Sequence, residues 1–226
     1  MTKQPTVING DFLLKEVLYP ENGEKTQETR VSILTAAIRV IALEGIESLT
    51  FEKIASQIGT NRSHIRYHFK ELNDVLFDAM KFITYSAQSQ TAADLKAESG
   101  WMENILSIAK NALRHAFQNP DHIIVMLAFN HRASFDPRFS ALYEEIRSSG
   151  RRRIASLLAT VYPNVKSTKD VTEQLAAQIQ SLLFGCITEQ ACSKRFKRLD
   201  AFENSVLTAV SAIVTNGLSS AWTNKT

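Results

Sequence analysis

Eleven consecutive residues, Thr60 to Lys70, hold Arg62, Arg66 and Lys70 and no acid. Asn61, Ser63, His64, Tyr67 and His68 fill most of the remaining positions, so nearly every side chain can donate or accept a hydrogen bond. Ile65 and Phe69 lie four apart and give the stretch one apolar face as a helix. A helix this short buries little surface and presents a cationic, hydrogen-bonding outer face. That is the chemistry of a helix laid into the major groove of duplex DNA.

The flanking residues supply what such a helix needs to be held. Phe51, Ile54, Ala55 and Ile58 recur at helical spacing just before it. Thr50 is placed to cap this first helix and Asn61 the second, because each side-chain oxygen can accept from an orphan amide. Gly59 ends the first helix, since glycine takes a left-handed backbone without steric cost. The reading is two short helices joined by a tight turn. Its candidate DNA contacts are Thr50, Asn61, Arg62, Ser63, His64, Arg66, Tyr67, His68 and Lys70. Arg62, Ser63, His64 and Tyr67 are expected to face bases or the adjacent backbone, and Thr50, Arg66 and Lys70 to hold phosphates.

The string G-T-N-R-S-H-I-R-Y-H-F-K-E-L-N-D-V-L resembles the helix-turn-helix signature of the TetR (tetracycline repressor) family. Gly59, Ile65, Tyr67, His68, Phe69, Val75 and Leu76 match its glycine, aliphatic, aromatic, histidine, phenylalanine and paired apolar positions. Thr50, Ile54 and Ala55 fit the preceding T-x-x-x-I-A, and Glu44-Gly45 the end of the helix before it. The sequence departs from the pattern at Arg66 and Leu72, where the family often has a tyrosine and a lysine that contact phosphate. Arg66 and Lys70 are the side chains here that can take over those contacts.

Composition is compatible with this reading and excludes others. The net charge of +3 over 226 residues is too small for a histone-like polycation but permits a local basic patch. With 44% hydrophobic residues the chain can bury a sizeable core. The longest apolar run, Ile123 to Phe129, is far short of a membrane span, and the N-terminus has no apolar secretion core. Cys186 and Cys192 lie six apart on one expected helix, about 600° of rotation, so they cannot bridge to each other. A reduced cytoplasmic protein is expected. The nucleophile-elbow, phosphate-loop and H-E-x-x-H patterns of enzymes are missing. His64 and His68 have a metal-site spacing but lack a third ligand, so neither metal nor cofactor is expected.

Only eight glycines and five prolines interrupt the chain, and no alternating strand pattern is sustained, which predicts an all-α fold. Residues 1–24 are an extension, either a tail or an arm entering the minor groove; it lacks the arginine that such arms use. Residues 25–72 form a helix-turn-helix domain, its first helix over 26–45 striped by Val31, Leu34, Ile38, Ile41 and Ala42. Residues 73–226 form a helical body. Its helices are expected over 73–96, 101–118, from Asn119-Pro120, from Asp136-Pro137 to Tyr162, from Ser167 or Thr168 to about Lys194, and from Asp200 to about Trp222. Asp200 with Glu203 reads as a cap and its acidic partner. The stretch from Ile123 to Phe129 is apolar all round and should lie inside. Arg151 to Arg153, and Lys194 to Arg198, read as solvated charge. The total is nine helices, the number that the family resemblance also implies.

The last two helices carry apolar stripes: Leu175, Ile179, Leu182, Leu183 and Cys186, then Phe202, Val206, Val210, Ile213 and Gly217. These are either ordinary core or, as the resemblance implies, a homodimer interface. Phe82, Tyr85, Phe117, Met126, Phe129, Phe135 and Tyr143 are either packed core or the lining of a cavity for a small apolar effector. The resemblance implies a ligand-responsive transcriptional regulator, a repressor that binds a near-palindromic operator. A helical ligand-binding protein without a DNA role, and a helical enzyme, are the alternatives that a duplex-binding measurement separates from it.

Overall fold

The computed structural model describes residues 24–94, 99–160, 168–193 and 199–223. Nine α-helices occur among them and no strand. In chain order they are α1 (Glu24–Glu44), α2 (Phe51–Gln57), α3 (Arg62–His68), α4 (Leu72–Asp94), α5 (Trp101–Gln118), α6 (Pro120–Ala133), α7 (Pro137–Ala159), α8 (Thr168–Ser193) and α9 (Leu199–Thr223). A 3₁₀ turn, Ile46–Ser48, joins α1 to α2. The all-α expectation holds, with helix ends within a few residues of those expected. The N-terminal extension and the basic run from Lys194 to Arg198 lie outside the described residues.

The packing divides the described chain into two compact units. The first comprises residues 24–89 and 119–143, and the second the described parts of 90–118 and 144–223. This cuts the chain elsewhere than after residue 72.

In the first unit, α1 packs on α2 and also along α6. This explains a buried face wider than one stripe: Ile33, Ala36, Ala37 and Val40 join Leu34, Ile38 and Ile41 inside. Of the run from Ile123 to Phe129, Ile123, Val125 and Phe129 are buried and the others half-buried, so α6 is inside on one face only. Phe129 and Phe139 are fully enclosed with ring centroids 5.2 Å apart. Each such side chain contributes roughly 1.5–3 kcal/mol by leaving water. Asp136 caps α7 through Oδ1, which accepts from the Arg138 amide at 3.1 Å.

In the second unit, α5, α7, α8 and α9 enclose one core built on Leu113, Leu158, Ile179 and Val210. Leu175, Ile179, Leu183, Phe202, Val206 and Val210 are all buried within the single chain. The stripes expected as a dimer interface are therefore mainly protomer core. They cover the inner face between α8, α9 and α5, and a second chain cannot bury them again. Leu182, Cys186, Ile213 and Gly217 are only half-buried. Gly217 serves the protomer too, because a Cβ there would lie 2.2 Å from Leu175 Cδ2.

Two charge assignments need correction. Glu203 is 5% exposed and accepts from Arg114 Nε at 2.8 Å and Nη2 at 3.3 Å. It neutralises a cation from α5 instead of serving a cap, because α9 begins at Leu199 and Asp200 already lies in its first turn. Arg151 does pair with Glu144, at 3.4 Å, but Arg153 is half-buried and burial pushes its guanidinium pKa down.

Candidate nucleic-acid interface

The site is assembled from the caps outward. Thr50 Oγ1 accepts from the Lys53 amide at 3.1 Å and so starts α2. Gly59 then takes φ +67°, the Gly59 amide donates to the Ser56 carbonyl, and the Thr60 amide to the Ala55 carbonyl at 2.9 Å. This pair of bonds satisfies the orphan carbonyls at the end of α2 and reverses the chain. Asn61 Oδ1 accepts from the His64 amide at 2.9 Å and starts α3. Both cap expectations hold.

Ile65 and Phe69 are buried at 0% and 3% exposure and anchor α3 on the unit. Asn61, Arg62, Ser63, His64, Arg66, Tyr67 and Lys70 are all exposed, Tyr67 at 79%. An aromatic ring that open on a monomer's surface is stabilised by little in the fold itself. Thr50 is half-buried, and its hydroxyl oxygen is engaged in the cap. His68 differs from its neighbours. It is half-buried, its ring centroid 5.1 Å from that of His64 and 5.2 Å from that of Tyr67, both edge-on. Burial, then the nearby His64 and Arg30, push its imidazole pKa down.

Three supporting interactions were not legible in the sequence. Arg62 Nη1 pairs with Glu52 Oε1 at 2.8 Å, linking α3 to α2. Lys53 Nζ pairs with Glu44 Oε2, linking α2 to the end of α1. Arg30 of α1 donates through Nη1 to the His68 carbonyl at 3.0 Å and through Nη2 to Asp78 of α4, with its guanidinium 4.2 Å from the Phe69 ring centroid. The end of α3 is thereby held from two sides. Arg30 carries no local signal, because its partners lie 38 and 48 residues away.

The scaffold of this site is also a recognisable one. Residues 33–79 match the model of the bacterial regulatory proteins of the tetR family. Over this segment the chain is similar to the tetR family. It is 26% identical over 96 residues to the HTH-type transcriptional regulator AcrR of Shigella flexneri, 42% of this chain and 43% of that protein. The match thus spans less than half the length of that relative. A transcriptional regulator from Rhodococcus sp. Rha1 shares the fold with a TM-score of 0.72 at 14% identity, over 83% of this chain and 97% of that one. A protein described as a transcriptional regulator from Saccharomonospora viridis, solved in complex with choline, gives 0.67 at 22% identity, over 81% and 96%. The matched segment runs from α1 into α4 and contains every candidate DNA contact.

The other expected sites are spread more widely. Phe82, Tyr85, Met126 and Tyr143 are half-buried in the first unit, and Phe129 is enclosed core there. Phe135 is 59% exposed against His131 and Arg132, because the turn between α6 and α7 carries it outward; it lines no interior space. Phe117 belongs to the second unit, its centroid 5.9 Å from that of Phe202. Cys186 and Cys192 are free thiols, the first raised in pKa by burial. Among the described residues no group of three or more His, Cys, Asp or Glu is arranged to hold a metal, and no helix is long and apolar enough to cross a membrane.

Proposed function

We propose that this chain is a transcriptional regulator that reads duplex DNA with α3 and holds the backbone with α2 and the turn before it. The observation that carries this reading is a short helix whose buried face is Ile65 and Phe69 and whose outer face is exposed, cationic and free of acids. Arg62, Ser63, His64 and Tyr67 meet base edges, with Asn61 beside them; Arg66, Lys70 and Thr50 meet phosphates, and His68 packs behind.

The regulator acts as a homodimer, since one α3 reads one half-site and a near-palindromic operator needs two. The half-buried Leu182, Cys186 and Ile213 are the members of the expected stripes with surface left to pair. Release from DNA by a small apolar effector makes it a cytoplasmic repressor. Phe82, Tyr85 and Met126 are the residues for such a molecule, and α4, which carries two of them, begins beside the helix-turn-helix. The choline complex of a protein of this fold supports a small organic effector of some kind.

The test is selection of bound sequences from random duplex by the full chain, followed by titration of the selected sequence over a range of salt. A two-fold symmetric consensus and a steep salt dependence are expected. Binding with no sequence preference, or none at all, would sink the proposal.

A further inference from the structure

An exposed acid stands beside the cationic face. Glu52 lies in the first turn of α2, and its Oε1 accepts from Nη1 of Arg62, the first residue of α3, at 2.8 Å. The two side chains are 57% and 54% exposed. A pair that open contributes little to the stability of a fold. On a surface that approaches phosphates, the carboxylate also opposes binding to every sequence. Its place in the first turn of α2 favours the helix, but that explains neither its pairing with Arg62 nor a negative charge beside a DNA-facing helix.

We infer that Glu52 is a positioning residue for sequence discrimination, holding Arg62 off the phosphate backbone and aiming it at a guanine. The inference rests on the DNA-binding reading above. A guanidinium has five N–H donors in a plane. With Nη1 engaged by Glu52, the edge formed by Nε and Nη2 remains as a parallel two-donor fork. That fork matches the O6 and N7 acceptors that guanine shows in the major groove. An arginine with no such restraint is also free to reach a phosphate, which is the same at every base pair. Glu52 thus acts twice. It fixes the direction of Arg62, and its own charge makes a phosphate-only complex less favourable than a base-reading one.

The test uses the whole chain in four forms: unaltered, Arg62→Ala, Glu52→Ala and Glu52→Gln. The last keeps a hydrogen-bond acceptor and removes only the charge, so it stays informative if Glu52→Ala folds poorly. Each is titrated across salt on the selected duplex, on that duplex with each guanine pair replaced in turn, and on an unrelated duplex. Arg62→Ala should lose preference at one guanine. Glu52→Ala should bind the unrelated duplex several-fold tighter, with a salt slope steeper by about one as Arg62 gains a phosphate. Its discrimination at the same guanine should fall about tenfold, with Glu52→Gln between. If both Glu52 variants match the unaltered protein in slope and discrimination, or weaken all duplexes equally, the inference is overturned while the DNA-binding reading stands. If the unaltered protein binds no duplex, both fall together.

Discussion

Arg30 on α1 and Asp78 on α4 form an ion pair with side chains only 15% and 18% exposed. The same guanidinium donates to the His68 carbonyl and lies over Phe69. One side chain therefore ties α1, the end of α3 and the start of α4 together. Burial pushes the Asp78 carboxyl pKa up even though Arg30 and Lys81 pull it down. Removing Arg30 would strand that carboxylate, whereas removing the charge of Asp78 leaves Arg30 its carbonyl and its ring. Arg30→Ala should destabilise by about 3–5 kcal/mol, and Asp78→Asn by distinctly less. Urea unfolding of the two variants checks the order, and equal losses would mean the pair is not the organising contact.

The same neighbourhood sets a pH dependence. The folded pKa of His68 lies below its ordinary 6.5, chiefly because burial disfavours the imidazolium. Above pH 6.5 the ring is neutral in both states and costs nothing. As pH falls through the folded value, the unfolded chain takes up the proton more readily, and stability is lost. Asp78 has the opposite sign. Its folded pKa is above the ordinary 3.8, so its contribution is present at lower pH and is lost as pH rises through the folded value. The melting temperature should fall with acidification from neutral, in the histidine range, and His68→Gln should flatten that fall. A variant that follows the unaltered protein in parallel would place the titration on another group.

Local chemistry was the legible part of this molecule. Thr50, Gly59 and Asn61 act within a few residues of themselves, so the caps and turn that shape α2 and α3 follow from residue type alone. The anchors Ile65 and Phe69 follow from helical period. What escaped was pairing over long sequence separations. Arg30 with Asp78, Arg138 with Asp74 at 2.7 Å, and Glu203 with Arg114 all join helices far apart in the chain. The stripes of α8 and α9 show the complementary problem. Period reveals that Leu175, Ile179, Val206 and Val210 must be buried, but not whether their own chain or another one buries them.

Gly217 and Gly185 separate those two kinds of burial at single positions. A Cβ on Gly217 would lie 2.2 Å from Leu175 Cδ2, and Leu175 is itself 4% exposed in the core. Gly217→Ala should therefore force repacking and cost about 1–3 kcal/mol. Gly185 is exposed within α8, with nothing within 4 Å of its would-be Cβ. In an isolated chain, Gly185→Ala should stabilise by up to about 1 kcal/mol through helix propensity. Thermal melts of both variants give the comparison. A destabilising Gly185→Ala would mean that another surface closes on that position.

A charge placed at different depths tests the homodimer itself. Val210 is 0% exposed and belongs to the protomer core, so Val210→Asp should unfold the chain whatever its oligomeric state. Leu182 and Ile213 are half-buried and sit at the edge of that core. There an aspartate can leave the protomer folded while placing a charge in an interface. Leu182→Asp should retain its helical spectrum, sediment as a monomer at micromolar concentration, and lose affinity for a two-fold operator, because each monomer reads only one half-site. Ile213→Asp should behave alike, since the two-fold interface proposed from α8 and α9 includes both. If both variants stay folded and dimeric, the dimer uses a different surface. If the unaltered chain is already a folded monomer at that concentration, no such dimer exists to be broken, and one α3 per binding event must account for whatever sequence preference is measured.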